Sequence, residues 1–147
     1  MARSRSRRLQ PVQDFARRRE QDAALALARS QGRLAAGRRQ LQELERYREE
    51  YSRRFRSAGE TGLGGKALQE YQQFLHQLDR AIAAQRQRLA AGEAELGSCR
   101  EVWQGLRARA QALDLTVERL RSRERRRRDR REQAESDERA QHGGRRE

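Results

Sequence analysis

The side chains that most often do chemistry are few in this chain and badly spaced for it. Its 147 residues include one cysteine, Cys99, and two histidines, His76 and His142. Catalysis through a nucleophile or a metal needs such groups beside a base or grouped at ligand spacing. Neither arrangement occurs, and no glycine loop of the phosphate-binding type is present. Carboxylates are plentiful but alternate with arginines at helical spacing, the pattern of solvated i,i+4 pairs rather than of an acid and a base held apart for work. His76 reads as part of a solvated helix face and Cys99 as a small apolar residue in a helix seam. The chain reads as a non-enzyme that needs no cofactor and no metal.

What remains is the chemistry of contact. Lys+Arg outnumber Asp+Glu by 35 to 22, for a net charge of +13, and Lys66 is the only lysine. Such a charge suits an anionic partner: nucleic acid, a phospholipid surface or an acidic protein face. Arg121 to Glu132, R-S-R-E-R-R-R-R-D-R-R-E, carries eight arginines against three acids. It reads either as a solvated charged helix end or as a contact for an acidic partner. Nucleic-acid binding usually adds aromatic stacking or a recognised module, and this run has neither; charge alone would bind nucleic acid blindly and salt-sensitively. A second feature is aromatic. Tyr47, Tyr51, Tyr71 and Phe74 are four of the six Tyr and Phe residues. If the chain folds back between the two pairs, they gather, with Tyr47 and Phe74 left partly exposed as seam-flanking packing or as a protein contact.

The elements that place these residues are helical. Apolar residues are 34% and charged residues 39%, too little apolar and too much charged for a layered globular core. From Leu68 to Leu120, apolar residues recur at alternating steps of three and four, interrupted only at Gln85 and Gly92. That mean period of about 3.5 forms one seam only when the helix supercoils around a partner. A looser pattern, Val12, Phe15, Ala16, Ala23, Leu27, Leu34, Leu41, Leu44, Tyr51 and Phe55, precedes it, and Pro11 suits a first helical turn. Between them Ala58 to Gly65 holds four glycines in seven residues, which supply the left-handed backbone that ends a helix.

The fold class that follows is all-α: a long two-helix antiparallel coiled-coil hairpin with helix 2 overhanging helix 1. Its parts are a basic arm over 1–8, helix 1 over 9–57, a Gly-rich turn over 58–65, helix 2 with its basic overhang over 66–138 and a frayed tail over 139–147. Antiparallel register pairs Phe55 with Leu68, Tyr51 with Tyr71, Leu44 with Leu78, Leu41 with Ile82, Leu34 with Leu89 and Leu27 with Leu96. It sets Trp103 against the small residues of 16–24 and Gly32 near Gly92, and it leaves helix 2 unpartnered from Val117 onward. A lone cysteine fits a reducing compartment. The basic N-terminus lacks the apolar stretch of a signal peptide, and no run approaches the length of a membrane span. A cytoplasmic protein that touches membranes only peripherally is expected, monomeric when free.

In order along the chain, L-Q-P-V-Q-D at 9–14, R-E-Q-D-A-A at 19–24, L-E-R-Y-R-E-E-Y at 44–51, Y-Q-Q-F-L-H-Q-L-D-R-A-I at 71–82, a mid-helix tryptophan and R-R-R-D-R-R-E-Q at 126–133 resemble FliJ, the cytoplasmic component of the bacterial flagellar type III export apparatus. The resemblance implies a stalk like the terminal helices of the γ subunit in rotary ATPases. It implies as partners the hexameric flagellar export ATPase, whose pore the stalk enters and whose assembly it promotes, the large membrane export-gate protein, and the export chaperones it escorts. It places the protein at the cytoplasmic face of the cell membrane. Carried over by motif, a gate-contact stripe falls on Gln40, Leu44, Tyr47, Tyr51, Phe74, Leu78, Ala81 and Gln85. Position 85, where relatives can carry histidine, is glutamine here. The contact with the ATPase ring is assigned to Arg121, Arg123, Arg125, Arg126, Arg127 and Arg128. Two other readings stand beside this one: the equivalent stalk of a virulence-type secretion system, and a basic coiled coil that binds nucleic acid.

Overall fold

The computed structural model describes residues 3–62 and 64–145. Met1 and Ala2 of the basic arm, Leu63 of the turn, and Arg146 and Glu147 of the tail lie outside the described residues. Two helices, α1 (Arg5–Glu60) and α2 (Gly65–Gly144), account for nearly everything else. They pack against each other in a hairpin, as the seam pattern requires. By its contacts the chain divides into two compact units. The terminal unit comprises Met1–Ala23 with Trp103–Glu147, and the turn unit comprises Ala24–Val102.

Helix α1 does not end at residue 57. It continues through Gly59 to Glu60, Thr61 Oγ1 donates to the Ala58 carbonyl at 2.8 Å, and Gly62 takes the left-handed conformation at φ +88°. Of the turn glycines only Gly62 needs that freedom. Because α1 is longer than expected, the chain reverses later and the helices slide by about one turn from the expected register. Tyr71 stacks on Tyr51, the partner expected for it, and on Phe55 as well, while Leu68, expected opposite Phe55, is 41% exposed. Leu34 lies over Gly92, and Leu89 packs on Gly37. Gly32, expected near Gly92, has nothing within 4 Å of where a Cβ would stand.

The looseness of α1 was an appearance. Apart from Ala24, Ala36 and Ser52, its non-exposed residues run 6, 9, 13, 16, 20, 23, 27, 30, 34, 37, 41, 44, 48, 51, 55 and 58, the same alternation of three and four that α2 shows. Ser6, Gln13, Glu20, Ser30, Gly37 and Arg48 occupy seam positions, so the heptad is present but thinly apolar. Val12 and Phe15, counted above with the apolar face, fall outside it and are 49% and 61% exposed.

In the terminal unit α1 begins at Arg5, so residues 5–8 are helical rather than a frayed arm. Ser4 caps this start: its Oγ accepts from the Arg7 amide at 3.4 Å. Pro11 is therefore the seventh helical residue and not part of the first turn. It costs the helix one backbone bond, to the Arg7 carbonyl. The longer α1 also reaches further along α2. Val117, expected to be the start of the unpartnered stretch, is only 1% exposed, and cross-helix pairing continues to Glu124. From Arg125 to Arg145 every described residue is exposed, and α2 remains helical through Gly144 instead of fraying after residue 138.

Candidate functional site: an aromatic stripe and a basic helix end

In the turn unit, α1 supplies Tyr47, Tyr51 and Phe55 at steps of four, and α2 supplies Tyr71 and Phe74. Tyr51 stacks on Tyr71 with ring centroids 5.0 Å apart and meets Phe74 at 4.5 Å, while Tyr47 meets the Phe74 ring edge-on at 6.1 Å. Tyr71 is buried and its hydroxyl lies 3.3 Å from Ser52 Oγ. Offset and edge-on aromatic pairs each contribute about 0.5–1.5 kcal/mol beyond burial. They hold Tyr47, 47% exposed, in a defined place at the surface. Arg48 and Asp79 pair across the helices alongside this cluster. The Asp79 carboxyl lies below its ordinary value because Arg48 donates to it, and the Arg48 guanidinium is raised by the same bond.

The eight residues of the sequence-derived stripe separate by depth. Gln40, Tyr47 and Ala81 are exposed; Leu44, Tyr51 and Phe74 are half-buried; Leu78 and Gln85 are in the seam. Gln85 is 7% exposed, and its Nε2 donates to the Gly37 carbonyl at 3.1 Å and to Gln40 Oε1 at 3.3 Å. The glutamine can reach a backbone oxygen inside the opposing helix because Gly37 has no side chain. An added Cβ there would stand 2.9 Å from Leu89 Cδ2 and 3.3 Å from Gln85 Nε2. The residue that interrupts the apolar line of α2 thus fills a notch in α1 and anchors Gln40. Leu78 and Gln85 support the stripe from beneath.

In the terminal unit several seam positions are polar and their groups are bonded. Ser6 Oγ donates to Glu124 Oε2 at 2.8 Å and the Ser6 amide to Oε1 at 3.3 Å, so a carboxylate of α2 caps the start of α1, which has no acid in its own first turn. This bonding holds the Glu124 carboxyl below its ordinary value, with the Ser6 hydroxyl the largest cause; Arg121 and Arg128 add to it and partial burial opposes it. Gln13 Nε2 donates to Asp114 at 2.7 Å and Trp103 Nε1 to Glu20 at 2.9 Å. Trp103 does face the region expected for it, but through a polar bond, with Arg107 stacked over its ring at 5.1 Å. None of these bonds was legible in the sequence; the signal for them was the phase of α1, which places Ser6, Gln13 and Glu20 in the seam.

Arg121, Arg123, Arg125, Arg126, Arg127 and Arg128 are all exposed. At about 100° per residue, these six with Arg130 and Arg131 point to every side of the α2 axis. Arg125 and Arg128 border an open pocket with Gln13 and Arg17 of α1 and stay exposed. Cys99 is half-buried and unpaired, His76 and His142 are exposed, and no described group of His, Cys, Asp and Glu could hold a metal ion. No described helix is long and apolar enough to cross a membrane.

The chain is an antiparallel hairpin of two long helices, with an aromatic cluster in its turn unit and a run of exposed arginines on α2. The family profile described as "Flagellar FliJ protein" matches residues 5–147, and the chain belongs to that family. The family is one of non-catalytic structural components of flagellar protein export. No curated protein and no solved structure matches the chain significantly.

Proposed function

We propose that this protein is a stalk of the flagellar export apparatus that works at two surfaces: a hexameric export ATPase takes its terminal unit, and the membrane export gate meets the stripe on its turn unit. The observation that carries the first half is the angular spread of the arginines on α2. A helix that binds a flat lipid surface or a nucleic-acid groove needs its charge on one side. Charge on every side suits a helix that is surrounded, as by acidic residues around a ring's pore. One asymmetric hairpin inside a sixfold ring cannot contact all subunits alike, so it can favour particular subunit states and the assembled ring through differential affinity.

The gate surface is narrower than the motif alone implied: Gln40, Tyr47 and Ala81 with the edges of Leu44, Tyr51 and Phe74, over Leu78 and Gln85. In this reading the free protein is a monomer at the cytoplasmic face of the membrane, with export chaperones as its further partners. The test reverses charge at Arg125, Arg126, Arg127 and Arg128 to Glu and measures stimulation of the cognate ATPase together with gate binding. All four are exposed and make no hydrogen bond or ion pair with the described residues of α1, and helicity checks that the fold is kept. Stimulation falls by about tenfold or more, with the salt dependence of a multi-charge contact, and gate binding is unchanged. Equal loss of both activities in a variant of unaltered helicity refutes the division.

A further inference from the structure

The basic terminal unit has one face of opposite character. Val12, Phe15 and Ala16 of α1 and Leu106, Ala112 and Leu113 of α2 line an open apolar groove whose charged rim is Arg19 and Arg109. Phe15 is the most exposed large apolar residue of the described chain at 61%, and Val12 is 49% exposed. Arg19 stacks over the Phe15 ring at 5.9 Å, which leaves its guanidinium at the groove edge. No acid lines the groove in a chain that has 22.

The groove follows from the phase of the two helices. Residues 9, 13, 16 and 20 of α1 and 106, 110, 113 and 117 of α2 make the seam, and Val12, Phe15, Arg109 and Ala112 flank it on one side. Flanking positions on a solvated two-helix pair are normally polar, since nothing covers them. Apolar residues there, at helical spacing on both helices, are the arrangement that receives a third helix. From Leu106 to Thr116 the groove runs about 15 Å along α2 at 1.5 Å per residue, which is close to three turns of such a helix.

We infer that this groove is a docking site for an amphipathic helix of a partner protein, its apolar stripe seated on Phe15, Val12, Leu106 and Leu113 and its flanking acids paired with Arg19 and Arg109. Charge complementarity selects the occupant. A second copy of this chain brings +13 to a rim that is itself cationic, and a flat bilayer does not fill a concave groove. The groove lies on the same terminal unit as the proposed ring contact but is lined by none of its residues, Arg121, Arg123 and Arg125 to Arg128.

The experiment uses the full chain and a fluorescently labelled 21-residue helical peptide with leucines at a and d and glutamates flanking them. Two controls accompany it: the same composition scrambled, and the lysine-flanked isomer. The glutamate-flanked helix binds and the controls do not. Phe15→Ala, at a solvent-facing position, weakens binding by about tenfold, the loss typical of an interface anchor. Arg19→Glu with Arg109→Glu transfers preference to the lysine-flanked helix. Leu115→Ala, exposed but outside the groove, leaves binding unchanged, and so does the reversal at 125–128, which separates this site from the ring contact. Equal binding of the scrambled peptide, an unaltered affinity in Phe15→Ala, or Phe15-dependent binding to vesicles of anionic lipid in place of the peptide overturns the inference.

Discussion

Two glycines of α1, five residues apart, isolate the worth of the notch that Gln85 fills. At Gly32 an added methyl group meets nothing within 4 Å, so Gly32→Ala gains the helix-propensity difference alone, about 1 kcal/mol of stability. At Gly37 the same methyl stands 2.9 Å from Leu89 Cδ2 and 3.3 Å from Gln85 Nε2. Overpacking of this kind costs about 1–3 kcal/mol. Pushing the Gln85 amide off the Gly37 carbonyl forfeits a bond worth about 0.5–1.5 kcal/mol more. The propensity gain is common to both substitutions and cancels in their difference. Because the Leu89 methyl can rotate partly away, the difference is about 1–3 kcal/mol in favour of Gly32→Ala, read by urea unfolding at an unchanged slope. Shortening Leu89 to Ala opens the space, so Gly37→Ala in that background recovers more than about 0.5 kcal/mol of coupling. If Gly37→Ala is as stabilising as Gly32→Ala, the helices do not approach there as described and the account of Gln85 fails with it.

Two further outcomes concern the terminal unit. Glu124 has a folded-state value below its ordinary one, so the stability its bond to Ser6 adds is fully present above about pH 4.5 and is lost as pH falls through the folded value. The difference in melting temperature between wild type and Glu124→Gln is therefore constant near neutrality and shrinks only in the acid limb; a gap that widens on acidification contradicts the assignment. Pro11, as the seventh residue of α1, lacks an amide the helix would use, so Pro11→Ala stabilises the unit by about 1–3 kcal/mol. It also slows hydrogen exchange of the amides before it, and no change in either would mean that α1 starts at the proline.

Much of this protein can be read without coordinates because a coiled coil is nearly a one-dimensional problem. The Leu68 to Leu120 seam is visible in the residue types, and the same alternation extends to Glu124 in the structure. The glycine cluster marks the reversal, and the two together require an antiparallel pair. The seam of α1 was harder to read. Its positions hold Ser6, Gln13, Glu20, Ser30, Gly37 and Arg48, types that carry no apolar signal, while Val12 and Phe15 carry one from outside the seam. The depth of the stripe residues was hidden for the same reason. Leu78 and Gln85 share a helix face with Ala81, but the opposing helix decides which of them is covered.

Composition and period alone determined the helical class, the number of helices and the approximate place of the turn, because each depends only on residue type and local spacing. The tertiary structure decided the register, and through it everything that depends on opposition. A shift of about one turn moves Glu124 onto the start of α1 and sets Gln85 into the notch at Gly37. It also moves the start of the uncovered basic helix from Val117 to Arg125. The same phase turns Phe15 outward beside Leu113. Register could not be had from either helix separately, because it follows from where α1 ends, and a single left-handed glycine, Gly62 among four candidates, marks that point.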